Sequence, residues 1–125
     1  MIVVVFIGVS IFNSCEPKRN EKIVSIEVYL FPAGIETPVD IGDSWIDQVE
    51  PFYIKNPNTL KRIEGQISSL KRDRSSFDKK NIKMKCFVEY ENGESGICEY
   101  NGFEFRINGK KYKNSPTLLK SLKQN

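Results

Sequence analysis

The sequence predicts an α+β domain, an antiparallel β-meander with two helices packed on one of its faces. Three observations carry that expectation. Apolar and polar residues alternate along 23–31 and 82–90, the period of strands. Asn-Gly pairs at 92–93, 101–102 and 108–109 punctuate residues 81–113, and Asn-Gly is the strongest short-range hairpin signal. Two stretches, behind Asn56 and behind Ser115, change to the helical period just after residues that cap helices.

In chain order, "IVSIEVYLF" (23–31) reads as a strand with Val24, Ile26, Val28 and Leu30 on one face, ended by Pro32. Residues 33–48 form a long loop with one helical turn capped by Asp43. Phe52 to Ile54 gives a short second strand. In "NPNTLKRIEGQISSLKRD", Asn56 caps, Pro57 suits the first helical position, and Leu60, Ile63, Ile67 and Leu70 share a face. Lys71 and Arg72 are expected in the last turn, where the helix dipole favours cations. Gly65 costs this helix ~1 kcal/mol relative to alanine. Residues 73–80, "DRSSFDKK", are a polar loop.

The register of the meander follows from turn chemistry and the buried face. A three-residue loop at Glu91-Asn92-Gly93, with Gly93 in the left-handed position, pairs Tyr90 with Glu94, Cys86 with Cys98 and Met84 with Tyr100. That register gathers the apolar side chains on one face and sets Lys85 opposite Glu99 on the other. A two-residue loop at Asn101-Gly102 then pairs Tyr100 with Phe103 and Cys98 with Phe105, leaving Gly96 opposite Ile107. Asn108-Gly109 leads to a return strand around Tyr112. Ser115 caps a final helix begun by Pro116, with Leu118, Leu119 and Leu122 inward. Cys86 and Cys98 are thus cross-strand neighbours, and either a disulfide or two buried thiols satisfies the geometry.

Residues 1–14 are of another kind. They hold no charged side chain and are apolar from Ile2 to Phe12 except at Gly8 and Ser10. Crossing ~30 Å of hydrocarbon takes ~20 such residues, so the run has the length of a signal-peptide apolar region rather than of a span. Ser14 places a small side chain before Cys15. The stretch Phe12-Asn13-Ser14-Cys15 resembles the lipobox of bacterial lipoprotein signals, of the Bacteroidota type in which aromatic residues are common at the first position. The resemblance covers the export signal alone. It implies a lipid on the Cys15 sulfur, cleavage before Cys15 and acylation of the freed amine. The expected organisation is a signal peptide at 1–14, a polar tether at 15–21 and one domain at 22–125, held at an envelope membrane on the periplasmic side, with the outer membrane favoured.

Charge is arranged in blocks. Residues 61–85 hold nine bases against three acids, and 86–104 hold five acids and no base. Such blocks neutralise one another when strands and helices pack, so no nucleic-acid partner is expected. The chain has no histidine. That removes Ser-His and Cys-His nucleophile pairs and the commonest zinc ligand. With Cys86 and Cys98 inside the sheet, no thiolate metal cluster is left, and no metal, cofactor or catalytic residue is expected. The densest carboxylate group, Glu36, Asp40, Asp43, Asp47 and Glu50, rings Trp45. Its spacing does not match a calcium loop of the EF-hand kind.

Trp45 with Asp40, Asp43 and Asp47 is the candidate partner-binding loop, since tryptophan anchors interfaces; a core tryptophan is the plainer reading. The basic run Lys71, Arg72, Arg74, Lys79 and Lys80 is a second candidate, suited to phosphate groups or to an acidic protein. The expected function is a non-catalytic, membrane-anchored binding module, of which an immunity or inhibitor protein is one version, contacting a protein or envelope component. A carboxylate-based hydrolase of envelope glycan is the alternative from another class.

Overall fold

The computed structural model describes residues 22–32, 44–79 and 81–123. Its centre is a six-stranded antiparallel sheet: β1 (Ile23–Leu30), β2 (Phe52–Ile54), β3 (Met84–Tyr90), β4 (Ser95–Tyr100), β5 (Glu104–Ile107) and β6 (Lys110–Lys113). The spatial order is β2-β1-β3-β4-β5-β6. Two helices, α1 (Pro57–Ser68) and α2 (Pro116–Lys123), pack on one face, as an α+β meander requires. β2 and β3 both pair with β1, one on each side, and α1 makes the crossover between them. No helix among the described residues is long and apolar enough to cross a membrane.

Helix α1 starts where its cap dictates. Asn56 keeps an extended backbone and its Oδ1 accepts from Asn58 N and Thr59 N, two donors that the first turn cannot satisfy internally. Leu60, Ile63 and Ile67 are buried along one face and Leu70 follows beyond the end. Each such side chain contributes about 1.5–3 kcal/mol when fully buried. The helix stops at Ser68, so Lys71 and Arg72 do not lie in its last turn. The Ser68 and Ser69 hydroxyls both donate to Gly65 O, and the following residues run beside the edge of the sheet. There Lys113 N donates to Lys71 O at 2.8 Å and Asp73 N to Lys111 O at 3.0 Å. Helix α2 is capped by Ser115 Oγ, which accepts from Leu118 N, with Leu118 and Leu122 buried and Leu119 partly so.

The first hairpin has the expected register: Met84 faces Tyr100, Lys85 faces Glu99, Cys86 faces Cys98. Gly93 has φ +88°, the left-handed position of the three-residue loop. The second hairpin corrects the expectation. The loop is Gly102-Phe103 rather than Asn101-Gly102, so Tyr100 faces Phe105 and Cys98 faces Ile107. Asn101 serves as a side-chain brace instead: its Oδ1 accepts from Phe103 N and Glu104 N, and its Nδ2 donates to Asp78 O. Moving the loop by one residue moves the register by two, which keeps Phe105 and Ile107 on the buried face and puts Phe103 at the tip, 75% exposed. The two-residue turn with two positive φ angles is the last one, Asn108 (+51°) and Gly109 (+84°), closing the Ile107–Lys110 pair.

β1 carries the other correction. A bulge between Ile23 and Ser25 turns Ile23 into the core and leaves Val24 40% exposed, so Val24 does not share a face with Ile26 and Val28. The start of the strand is fixed by α1, whose Glu64 Oε2 accepts from Ile23 N at 2.8 Å.

Candidate functional site

Among the described residues, helices cover only one side of the sheet. The other side is built by the alternate residues of the same strands, and the pairing registers place them in rows: Tyr53, Glu27, Phe87 and Ile97 across β2-β1-β3-β4, and beside them Tyr29, Lys85, Glu99 and Arg106 across β1-β3-β4-β5. In a sheet with one solvated face those positions are ordinarily polar. Here four of the eight are large apolar or aromatic side chains, with Tyr53 56% and Ile97 41% exposed.

The rows are knitted together. Tyr53 donates its hydroxyl to Glu27 Oε2 at 2.9 Å, and that carboxylate pushes the Tyr53 phenol up from its usual range. Tyr29 is likewise raised, by desolvation first and then by Glu27. The Tyr29 and Phe87 rings meet edge to face at 5.9 Å, and Lys85 Nζ sits 5.7 Å from the Phe87 centroid. Lys85 and Arg106 flank the buried carboxylate of Glu99: Lys85 Nζ lies 3.8 Å from Oε2, and Arg106 Nε donates to Oε1 at 2.8 Å. Arg106 in turn lies 4.9 Å from the Phe77 ring.

Phe77 belongs to the segment 73–79, which folds over the β5–β6 end of this face. Its anchor is Lys111, buried, which donates to Ser75 Oγ and Ser76 O and pairs with Asp73 at 3.5 Å. Among the described residues the face is therefore covered over β5 and β6 and left without such a cover over β2, β1, β3 and β4, where Tyr53 and Ile97 stay exposed. A bare aromatic surface rimmed by charge is what an interaction patch presents before its partner arrives.

No protein-family model matches the chain, and neither a curated protein nor a solved structure resembles it significantly.

The sequence-derived candidates fall in different places. Cys15, Glu36, Asp40 and Asp43 lie outside the described residues. Trp45 sits in a short 3-10 turn, Ser44–Gln48, and is 6% exposed. Its Nε1 donates to Ile82 O at 2.9 Å and its ring meets Phe31 edge to face at 5.4 Å, so the indole is spent closing one end of the sheet. Asp47 and Glu50 are exposed, and neither is among the described residues that line the cleft between the two helices. Among the described residues no three His, Cys, Asp or Glu side chains come together as a metal site.

Cys86 and Cys98 are buried free thiols in direct register. The hydrogen bond with Cys98, together with burial, holds the Cys86 thiol well above its ordinary value, so Cys86 stays a protonated thiol at neutral pH. Of the basic run, Lys80 lies outside the described residues, and the described members do not form one surface. Arg72 lies over the Tyr112 ring at 5.8 Å, Arg74 is exposed, and Lys71 faces elsewhere, into a cleft between the helices.

Sequence reasoning missed the bare face. A signal was present, since "VYLF" and "CFV" are apolar at both parities, which a strand with one wet face does not need.

Proposed function

We propose that the chain is a lipid-anchored, non-catalytic binding module of the bacterial envelope, and that its helix-free sheet face engages a protein partner. The observation that carries the reading is the aromatic and apolar row of exposed Tyr53, half-buried Phe87 and exposed Ile97, set among the described residues on a framework whose charges are already satisfied by one another. Such a face offers shape and apolar area while the Glu99 network keeps it rigid. The lipobox at Phe12 to Cys15 supports the anchor, with the polar stretch 15–21 as a tether from the membrane to β1. Two or three acyl chains at ~0.8 kcal/mol per buried CH₂ hold a protein on a bilayer stably.

Two experiments test it. In Cys15→Ala the protein is expected to leave the membrane fraction and to lose incorporation of labelled fatty acid; persistence in the pellet defeats the anchor. In cells, a photo-crosslinking residue placed at Ile97 or Tyr53 is expected to give one discrete adduct. The same residue at Lys120 on α2 is expected to give none. Equal labelling from both faces defeats the assignment of the binding surface.

A further inference from the structure

A cleft of about 620 Å³ separates the C-terminal end of α1 from the N-terminal end of α2, on the helical side of the molecule and away from the bare sheet face. Its charged lining is Arg62, Lys71 and Lys113, with no carboxylate among the lining residues. None of the three makes an ion pair with another described residue. Lys71 and Lys113 are moreover held side by side, since Lys113 N donates to Lys71 O. Like charges fixed opposite each other repel, and an anion between them would reverse the sign.

The neutral lining is hydrogen-bonding: Gln66, Ser69 and Thr117 among others. Gln66 buries its carboxamide oxygen with no partner among the described residues, and a buried polar group that lacks a partner is a standing cost that a ligand hydroxyl can relieve after rotation of the amide.

Gly65 supplies the independent observation. It lies inside α1, where glycine weakens a helix, and a Cβ built there meets nothing within 4 Å. Neither backbone angle nor packing among the described residues demands glycine. What Gly65 does is keep a side chain out of the cleft that it lines.

We infer that this cleft binds an anionic saccharide, a sugar unit bearing a phosphate or a carboxylate, with Arg62, Lys71 and Lys113 taking the anionic group and Gln66 and Ser69 the neighbouring hydroxyls. The volume falls in the range of small-molecule sites. Three unpaired cations select charge, and the hydroxyl- and amide-rich remainder selects a polyol over an apolar acid.

The test uses the full chain purified in detergent and isothermal titration calorimetry with glucose 1-phosphate, galacturonate, inorganic phosphate and glucose. Saturable heat is expected from one or both charged sugars, at least roughly tenfold tighter than from inorganic phosphate and absent with glucose; which charged sugar binds separates the phosphate from the carboxylate source. Gly65→Leu is the decisive variant, because it fills the cleft while strengthening the helix. Its melting temperature is expected to rise by roughly 4 °C while binding falls at least tenfold. Lys71→Gln with Lys113→Gln is expected to abolish binding with the melting temperature kept, and Lys71→Arg with Lys113→Arg to retain it. No heat from either charged sugar, heat equal to that of inorganic phosphate, or wild-type binding in Gly65→Leu overturns the assignment.

Discussion

At the scale of single residues, the sheet is held by charges that are nearly dry. Glu99 is buried between Lys85 and Arg106, whose side chains are themselves mostly covered. Removing its charge leaves two cations facing each other across β3, β4 and β5, the costly way to break such a network. Glu99→Gln is expected to destabilise the protein by about 2–3 kcal/mol, less than a fully buried pair because the cations retain some solvent. The shift of the urea midpoint at unchanged slope measures it. Asp73 gives a pH-dependent counterpart. Its Oδ1 accepts from Ser75 N at 3.0 Å and from Ser75 Oγ at 2.7 Å, and these bonds, with Lys111 nearby, hold its carboxyl below the usual range. The folded state therefore prefers the carboxylate. That preference is fully present above the unfolded value of about 3.9 and is lost as pH falls through the lower folded one. Hydrogen exchange followed from about pH 5 downwards is expected to show the Ser75 amide opening below about pH 4 while strand amides stay protected. In Asp73→Ala that step disappears.

At the scale of elements, what the sequence could specify depended on whether a wrong answer would bury a wrong residue. The β3–β4 register was legible because the three-residue loop and the apolar face agreed. A slip of one there turns Met84, Cys86 and Val88 outward. The β4–β5 register was not legible, because the competing pairings differ by two residues and bury the same face. The choice is made by Asn101, whose carboxamide ties three backbone groups in Phe103, Glu104 and Asp78. Asn101→Ala leaves the Phe103 and Glu104 amides and the Asp78 carbonyl without these partners and is expected to cost about 1–3 kcal/mol. It is also expected to blur the hairpin register, seen as weakened cross-strand NOEs between Tyr100 and Phe105. The bulge at Val24 was hidden for a similar reason, since Ile23 and Val24 are equally apolar and only the pairing with β3 says which one turns inward. The helix faces were legible throughout, because the spacing of Leu60, Ile63 and Ile67 answers to one period. The end of α1 was not, since Lys71 and Arg72 suit a helix terminus and are diverted by bonding to β6.

At the scale of the whole molecule, the candidate site emerges only when distant segments are brought together. The bare face joins residues 27, 29, 53, 87 and 97, and their adjacency depends on β1 lying between β2 and β3, a long-range pairing that no local pattern encodes. The architecture puts the core and the proposed binding face on opposite sides of the sheet. On the helical side, Ile63, Phe105 and Leu118 are fully buried in one core that joins both helices to every strand. On the bare side, Tyr53 and Ile97 contribute area to solvent and little to packing. Ile63→Ala is accordingly expected to lower stability by about 2–5 kcal/mol, enough to threaten a domain of this size. Tyr53→Ser combined with Ile97→Ser is expected to change stability by only about 0.5 kcal/mol while removing the crosslinked adduct at a neighbouring position such as Phe87. A protein whose bare face were merely incompletely packed core would show the reverse, with the double variant melting early. The two denaturation curves, read beside the adduct yields, tell a surface kept for a partner from one that the fold failed to cover.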